Sequence, residues 1–318
     1  MKKLAIIFNM LIIFFVQDLV AKSCHLLLIG DKDDTRLHFS TERNFRNVEQ
    51  SFSYICSVSG IPFRSKRISR QGVELSQYEV EKWIRKEPIA PDDVIILYYS
   101  SHGGRTTDTP TIWPFGCFSD GYVDFSAIIE NLFPKKAALY VIILDCCNVF
   151  TKGWEVLGER LRFELRGLND QLVARGFQKL FCHKPYGLII ASGTSPGEVG
   201  WHNVWDDALP IKPEDNAKMG GVFTNIFLNN LFQEIQTPSP EWKRIFKKTK
   251  IEVIEETMKE DYSKIVPASP LKPQTPQYRI FLYKHKRSAH TYLKDLYKGC
   301  AYHKSMFDQN PEISQILP

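Results

Sequence analysis

Three stretches of the chain are apolar or aromatic at every position: Leu26-Leu27-Leu28-Ile29, Val94-Ile95-Ile96-Leu97-Tyr98-Tyr99 and Leu139-Tyr140-Val141-Ile142-Ile143-Leu144. A fourth, Leu188-Ile189-Ile190-Ala191, follows Gly187. Continuous runs of this length read as strands buried on both faces. Each closes on a polar or glycine-bearing turn: Gly30 with Asp31, Asp33 and Asp34; Ser100-Ser101-His102-Gly103-Gly104; Asp145-Cys146-Cys147-Asn148; and Ser192-Gly193. A short strand is predicted over 63–68 and a last one over 278–283.

Between these runs the apolar spacing changes to three or four. Phe45, Val48, Phe52, Ile55 and Cys56 predict a helix over 41–58, with Ser40 or Thr41 as its cap and Gly60 beyond its end. Tyr78, Val80, Trp83 and Ile84 predict a second, capped by Ser76 and stopped by Pro88. Further helices are predicted over 128–133, 157–176 and 242–258, and after Gly220-Gly221, where Val222, Phe223, Ile226, Phe227 and Leu231 share a face. Alternating strands and helices predict an α/β fold, a mostly parallel sheet of about six strands with helices on both faces. In such sheets ligands bind beyond the carboxyl ends of the strands. The turns carrying His102 and Cys146-Cys147 both fall there.

The first 21 residues break the pattern. Lys2 and Lys3 precede an apolar stretch ending near Val16, and Ala21 closes it. This predicts a secretory signal peptide over 1–21, too short for a comfortable membrane span, with a retained N-terminal anchor as the alternative. The remainder divides into one domain over 22–283 and a basic, poorly patterned C-terminal tail over 284–318. Export to the periplasm or medium follows from the signal, with no stable membrane span once it is removed.

Composition changes little in this picture. In 318 residues, 43% are apolar and 24% charged, which argues against disorder. The net charge of +5 is mild, and the densest basic run, Lys243 to Lys248, reads as a solvated helix face, so no nucleic-acid partner is expected. The chain holds 7 cysteines without CxxC or zinc spacing, which argues against a structural metal. Asp31, Asp33 and Asp34 lack EF-hand spacing and read as a solvated loop. No cofactor is expected, and calcium is not supported by the sequence.

A cysteine beside an imidazole readily becomes a thiolate nucleophile, and the imidazole can then protonate a leaving amine. Gly103 removes side-chain bulk next to His102, so its N–H can face an oxyanion, with the Cys147 N–H as a second donor. Spacing alone also fits a structural His and Cys at a core edge.

The blocks Tyr99-Ser100-Ser101-His102-Gly103 and Asp145-Cys146-Cys147, with 45 positions between His102 and Cys147, resemble those of caspase-like cysteine peptidases, closest to bacterial caspase-family and metacaspase-like members. Further blocks are similar: Ile190-Ala191-Ser192-Gly193 with Gly197-Glu198, Gly220-Gly221-Val222-Phe223-Thr224, and Pro276-Gln277-Tyr278. The resemblance implies a caspase-like peptidase domain acting on peptides or proteins, with Cys147 as nucleophile and His102 as general acid/base. Cys146 is then a buried neighbour. It also implies that Ser100 and Asp145 line a pocket for Arg or Lys, although Asp145 as a turn cap is the competing reading. Departures from the pattern are Ser101 for a Gly, Asn148 for a His, and Asn47, beside Arg46, near the place of a second pocket Asp. Glu198 reads as a plain surface residue, and Trp113-Pro114-Phe115 as either cleft rim or core. The resemblance leaves the oligomeric state open. A catalytically inactive caspase-fold interaction protein is the main alternative; a thiol redox role for Cys146-Cys147 is a third.

Overall fold

The computed structural model describes residues 23–34, 37–69, 75–106, 111–149, 156–157, 165, 167–182, 186–203, 220–259 and 273–297. The expected signal peptide, Cys300 and the chain beyond 297 lie outside them.

The apolar runs are strands. β1 (Cys24–Ile29), β3 (Val94–Ser100), β7 (Leu139–Asp145) and β9 (Tyr186–Ser192) form the centre of a six-stranded sheet ordered β12-β9-β7-β3-β1-β2. β2 (Phe63–Ile68) is one edge and β12 (Gln277–Tyr283) the other. All neighbours are parallel except β12, which runs antiparallel to β9. The expected mostly parallel α/β sheet is therefore what the chain builds.

Period-two alternation splits each buried strand between two cores. Leu26 and Leu28 of β1, Ile96 and Tyr98 of β3, and Val141 and Ile143 of β7 pack on one face, under α1 (His38–Val58), α4 (Asp170–Phe177), α5 (Val222–Ile235) and α6 (Trp242–Met258). Leu27, Ile29, Ile95, Leu97, Tyr140 and Ile142 pack on the other, under α2 (Gln77–Lys86), α3 (Phe125–Leu132) and α7 (Ala289–Leu296). Each fully buried apolar side chain contributes about 1.5–3 kcal/mol by leaving water. A one-residue slip would exchange the two cores, so the register is strongly specified.

Several elements differ from expectation. α1 starts one turn early, at His38, and Ser40 and Thr41 are buried inside it rather than capping it. Ser76 does cap α2, accepting from the Glu79 N–H at 3.3 Å. Residue 157 lies in a short strand, β8 (Val156–Leu157), and the helix expected there begins only at Asp170. Residues 158–164 fall outside the described set. A hairpin of β5 (Phe115–Phe118) and β6 (Gly121–Asp124), joined by β4 (Gly103–Gly104), was not legible. A second small sheet pairs β8 with β10 (Trp201–Asn203), and β10 with β11 (Gly220–Gly221).

The expectation of a patternless tail from 284 needs correction over 284–297. α7 carries Tyr292 and Leu296 into the core, and Tyr297 donates to Glu130 Oε1 at 2.5 Å. The Tyr292 ring meets Phe133 at 5.3 Å and Tyr140 at 5.6 Å between centroids.

Candidate active site

Strand register brings the turns that carry the candidate residues His102 and Cys147 side by side. Ser100 of β3 stands opposite Asp145 of β7. His102 and Cys147 each lie two residues further on, so they leave the same end of the sheet at matching height. Gly103 makes the junction tight: a Cβ there would lie 2.5 Å from the Cys147 carbonyl oxygen and 2.6 Å from the Cys146 sulfur.

The two cysteines leave β7 in different directions. Cys146 is fully buried within the apolar core on the α3 side of the sheet. Burial pushes its thiol well up, reinforced by the neighbouring Cys147 and Asp145. Cys147 is 3% exposed, and the Gly200 N–H donates to its sulfur at 3.2 Å. A donor aimed at sulfur stabilises negative charge there.

His102 is fixed at backbone and ring. Its carbonyl accepts from the Tyr99 hydroxyl at 2.5 Å and from the Cys117 N–H at 3.1 Å. Its ring Nε2 lies 3.0 Å from Asp34 Oδ2. The reading of the Asp31, Asp33 and Asp34 loop as simply solvated is thus overturned at Asp34, and Asp31 is only 8% exposed. Among the described residues, no group of three or more His, Cys, Asp or Glu is placed to hold a metal ion.

Ser100 and Asp145 sit together beneath this pair, both fully buried. The residue that joins them is Asn44 of α1. Its Nδ2 donates to Ser100 Oγ at 2.8 Å and more weakly to Asp145 Oδ2 at 3.4 Å, while its Oδ1 accepts from the Gly221 N–H at 2.8 Å. Thr224 donates to Asp145 Oδ2 at 2.5 Å and contacts the Tyr98 hydroxyl at 2.7 Å. Asn47, one turn further along α1, points elsewhere and donates to Asn225 at 3.2 Å. Arg46 is exposed and reaches Glu42. Sequence reasoning chose Asn47 and missed Asn44; helical spacing of three allows both, and only helix phase separates them. The β11 backbone lies on the carboxylate, since a Cβ at Gly221 would come 1.9 Å from Asp145 Oδ2.

Asn148 is more than a departure from a pattern. Its N–H donates to the Glu198 carbonyl at 2.9 Å and its own carbonyl accepts from Gly197 at 2.7 Å. Its side chain donates to the Ile112 carbonyl at 2.9 Å and accepts from Arg105 at 3.3 Å. Glu198, read as a plain surface group, accepts instead from the backbone N–H groups of Ser195 and Thr275, at 2.9 and 2.7 Å. Trp113 is fully buried in the core, which settles its choice of roles, while Phe115 is half-buried.

Among curated proteins none matches the chain. A solved structure of protein GSU0716 from Geobacter sulfurreducens is similar at 13% identity and a TM-score of 0.44, over 84% of this chain and 97% of that one. The family described as Caspase domain, Peptidase_C14, matches residues 43–284. That span takes in β2 to β12 with the turns carrying His102 and Cys147, and the chain belongs to this caspase-domain family of cysteine peptidases.

Proposed function

We propose that the protein is an active cysteine endopeptidase with Cys147 as nucleophile and His102 as general acid/base. The observation that carries this reading is the equal offset of the two residues from the paired Ser100 and Asp145. In the reaction, the Cys147 sulfur attacks the scissile carbonyl carbon and the N–H groups of Gly103 and Cys147 face the developing oxyanion. His102 passes a proton to the leaving amine, and a thioester remains. Water, deprotonated by His102, then attacks the thioester and releases the acid with the thiol restored.

Cleavage after Arg or Lys is the finer part of the proposal. It rests on the Asp145 carboxylate, a fitting partner for a guanidinium. Because Gly221 covers that carboxylate, a basic side chain reaches it only when the 220–221 backbone moves aside. Export through the segment 1–21 belongs to the same proposal. Among the described residues no helix is long and apolar enough to cross a membrane.

The near-complete burial of Cys147 favours a second reading, an inactive caspase-fold interaction protein. Labelling with an electrophilic peptide, together with a positional peptide library on the purified chain, separates the two. Under the peptidase reading, Cys147→Ala and His102→Ala lose cleavage while Cys146→Ala keeps it. Equal labelling of wild type, Cys147→Ala and Cys146→Ala, with no cleavage of any peptide, rejects it.

A further inference from the structure

The loop after β1 supplies a group that the Cys/His reading does not use. β1 and β3 are neighbours with Ile29 opposite Tyr99, so the loop following β1 leaves the sheet beside His102. In that loop Asp34 is held by both ends of its own residue. Its Oδ1 accepts from the Leu37 N–H at 3.0 Å and its carbonyl from the His38 N–H at 2.8 Å, where α1 begins. The remaining oxygen, Oδ2, lies 3.0 Å from His102 Nε2. Neither partner is freely solvated, with side chains 21% and 25% exposed.

We infer that Asp34 is a positioning residue for His102, fixing the ring so that Nδ1 serves the reaction. This rests on the peptidase reading of the site. An ionised carboxylate only accepts hydrogen bonds, so the pair requires the proton on Nε2. The lone pair of the neutral ring is then on Nδ1, which takes the Cys147 proton. When Nδ1 is protonated, the carboxylate stabilises the resulting imidazolium, and that same proton is the one delivered to the leaving amine. The Asp34 carboxylate stays ionised throughout. Both anchors are rigid: the His102 carbonyl is tied to Tyr99 and Cys117, and Asp34 is tied to the start of α1. The orientation therefore exists before substrate arrives.

Among the described residues, the titratable or charged groups near His102 include Cys146 and Cys147 from the end of β7, Tyr99 from β3, Cys117 from β5, and Arg105 on its own segment, which is directed to Asn148 and the Thr111 carbonyl. Asp34 is the carboxylate hydrogen-bonded to the ring.

The test uses the full purified chain. Asp34→Asn keeps an oxygen for the Leu37 N–H but can present an amide N–H to Nε2, reversing the tautomer. We expect kcat to fall on the order of tenfold to a hundredfold with little change in KM. The alkaline limb of kcat/KM, where the imidazolium loses its proton, should move down by about one pH unit. Asp34→Glu should restore part of the rate, and Asp33→Asn, of equal charge change, should leave the limb in place. Nitrogen-15 spectra of the His102 ring give a reading independent of activity, an Nε2-protonated neutral tautomer in the wild type and a lower ring pKa in Asp34→Asn. A variant that loses rate without moving the limb or the ring pKa would make Asp34 merely structural and overturn the inference. An unchanged Asp34→Asn beside a dead His102→Ala overturns it too and leaves the dyad standing. Coupled titration in a wild type that cleaves no peptide and takes no electrophilic label rejects the peptidase reading, and the role of Asp34 with it.

Discussion

Gly103 and Cys147 are packed backbone to backbone, so closely that a methyl group on Gly103 would lie 2.5 Å from the Cys147 carbonyl oxygen. The strand end bearing His102 and the strand end bearing Cys147 thus press directly on each other. Gly103→Ala must separate them. Overpacking of this kind costs about 1–3 kcal/mol. We expect a folded protein with a reduced melting temperature and much slower labelling of Cys147 by an electrophilic peptide. A labelling rate equal to wild type would show that the contact is not needed for the chemistry.

Gly221 makes a similar demand on the buried carboxylate. A Cβ there would stand 1.9 Å from Asp145 Oδ2, and the neighbouring Gly220 holds φ at +118°, a region that favours glycine. Gly221→Ala should unseat the bonds from Asn44 and Thr224 to Asp145 and destabilise the fold by about 1–3 kcal/mol. Urea denaturation measures the change. A midpoint unmoved from wild type would mean that the carboxylate has room to turn away.

Asn148 links three segments through its backbone and side chain. Asn148→Ala removes the bonds to Ile112 and Arg105 while sparing both backbone bonds. Ile112 is half-buried, so losing the bond to its carbonyl costs about 0.5–1.5 kcal/mol. We expect a comparable loss by urea denaturation and higher backbone exchange over 111–113. Protection of those amides at the wild-type level would assign the clamp to the backbone alone.

His25 lies at the opposite side of the fold, with Nδ1 2.9 Å from Glu87 and Nε2 3.0 Å from Asp93. Two carboxylates can both accept only from a doubly protonated ring. Burial alone would lower its pKa; the hydrogen bonds to Asp93 and Glu87 outweigh burial and raise it. A raised folded-state value means that its stabilisation is complete below the unfolded value, about 6.5, and fades as pH climbs through the higher folded one. Melting temperature should therefore fall across that alkaline-going window in wild type, and fall less in His25→Gln. Parallel curves for the two proteins would contradict the linkage.

The parts of this molecule that could be read in advance are those whose signal is local. Leu139 to Leu144 announce a strand because buried parallel strands leave no polar face, and the polar residues that follow mark the strand's carboxyl end. The turns carrying His102 and Cys146-Cys147 stand out for that reason, whereas the choice of Cys147 and the pocket roles of Ser100 and Asp145 come only from the family resemblance. Asn44 does not stand out, because its partners Ser100 and Asp145 lie 56 and 101 positions away and nothing in its helix distinguishes it from Asn47. Asp34 was hidden among neighbouring aspartates, where only the turn into α1 selects which one meets His102. The 115–124 hairpin combines very short strands with glycines at 116 and 121, which weakens its alternation.

The placement of α7 bears on how the protein is best handled at the bench. The family match stops at residue 284, five positions before this helix starts. Trimming a recombinant product at that point would strip Tyr292, Leu296 and Tyr297 from the rings of Phe133 and Tyr140 and from Glu130. Newly bared aromatic surface of that kind invites self-association, so a truncated preparation that clumps would reflect a missing lid on the core and not a fault in the peptidase fold itself.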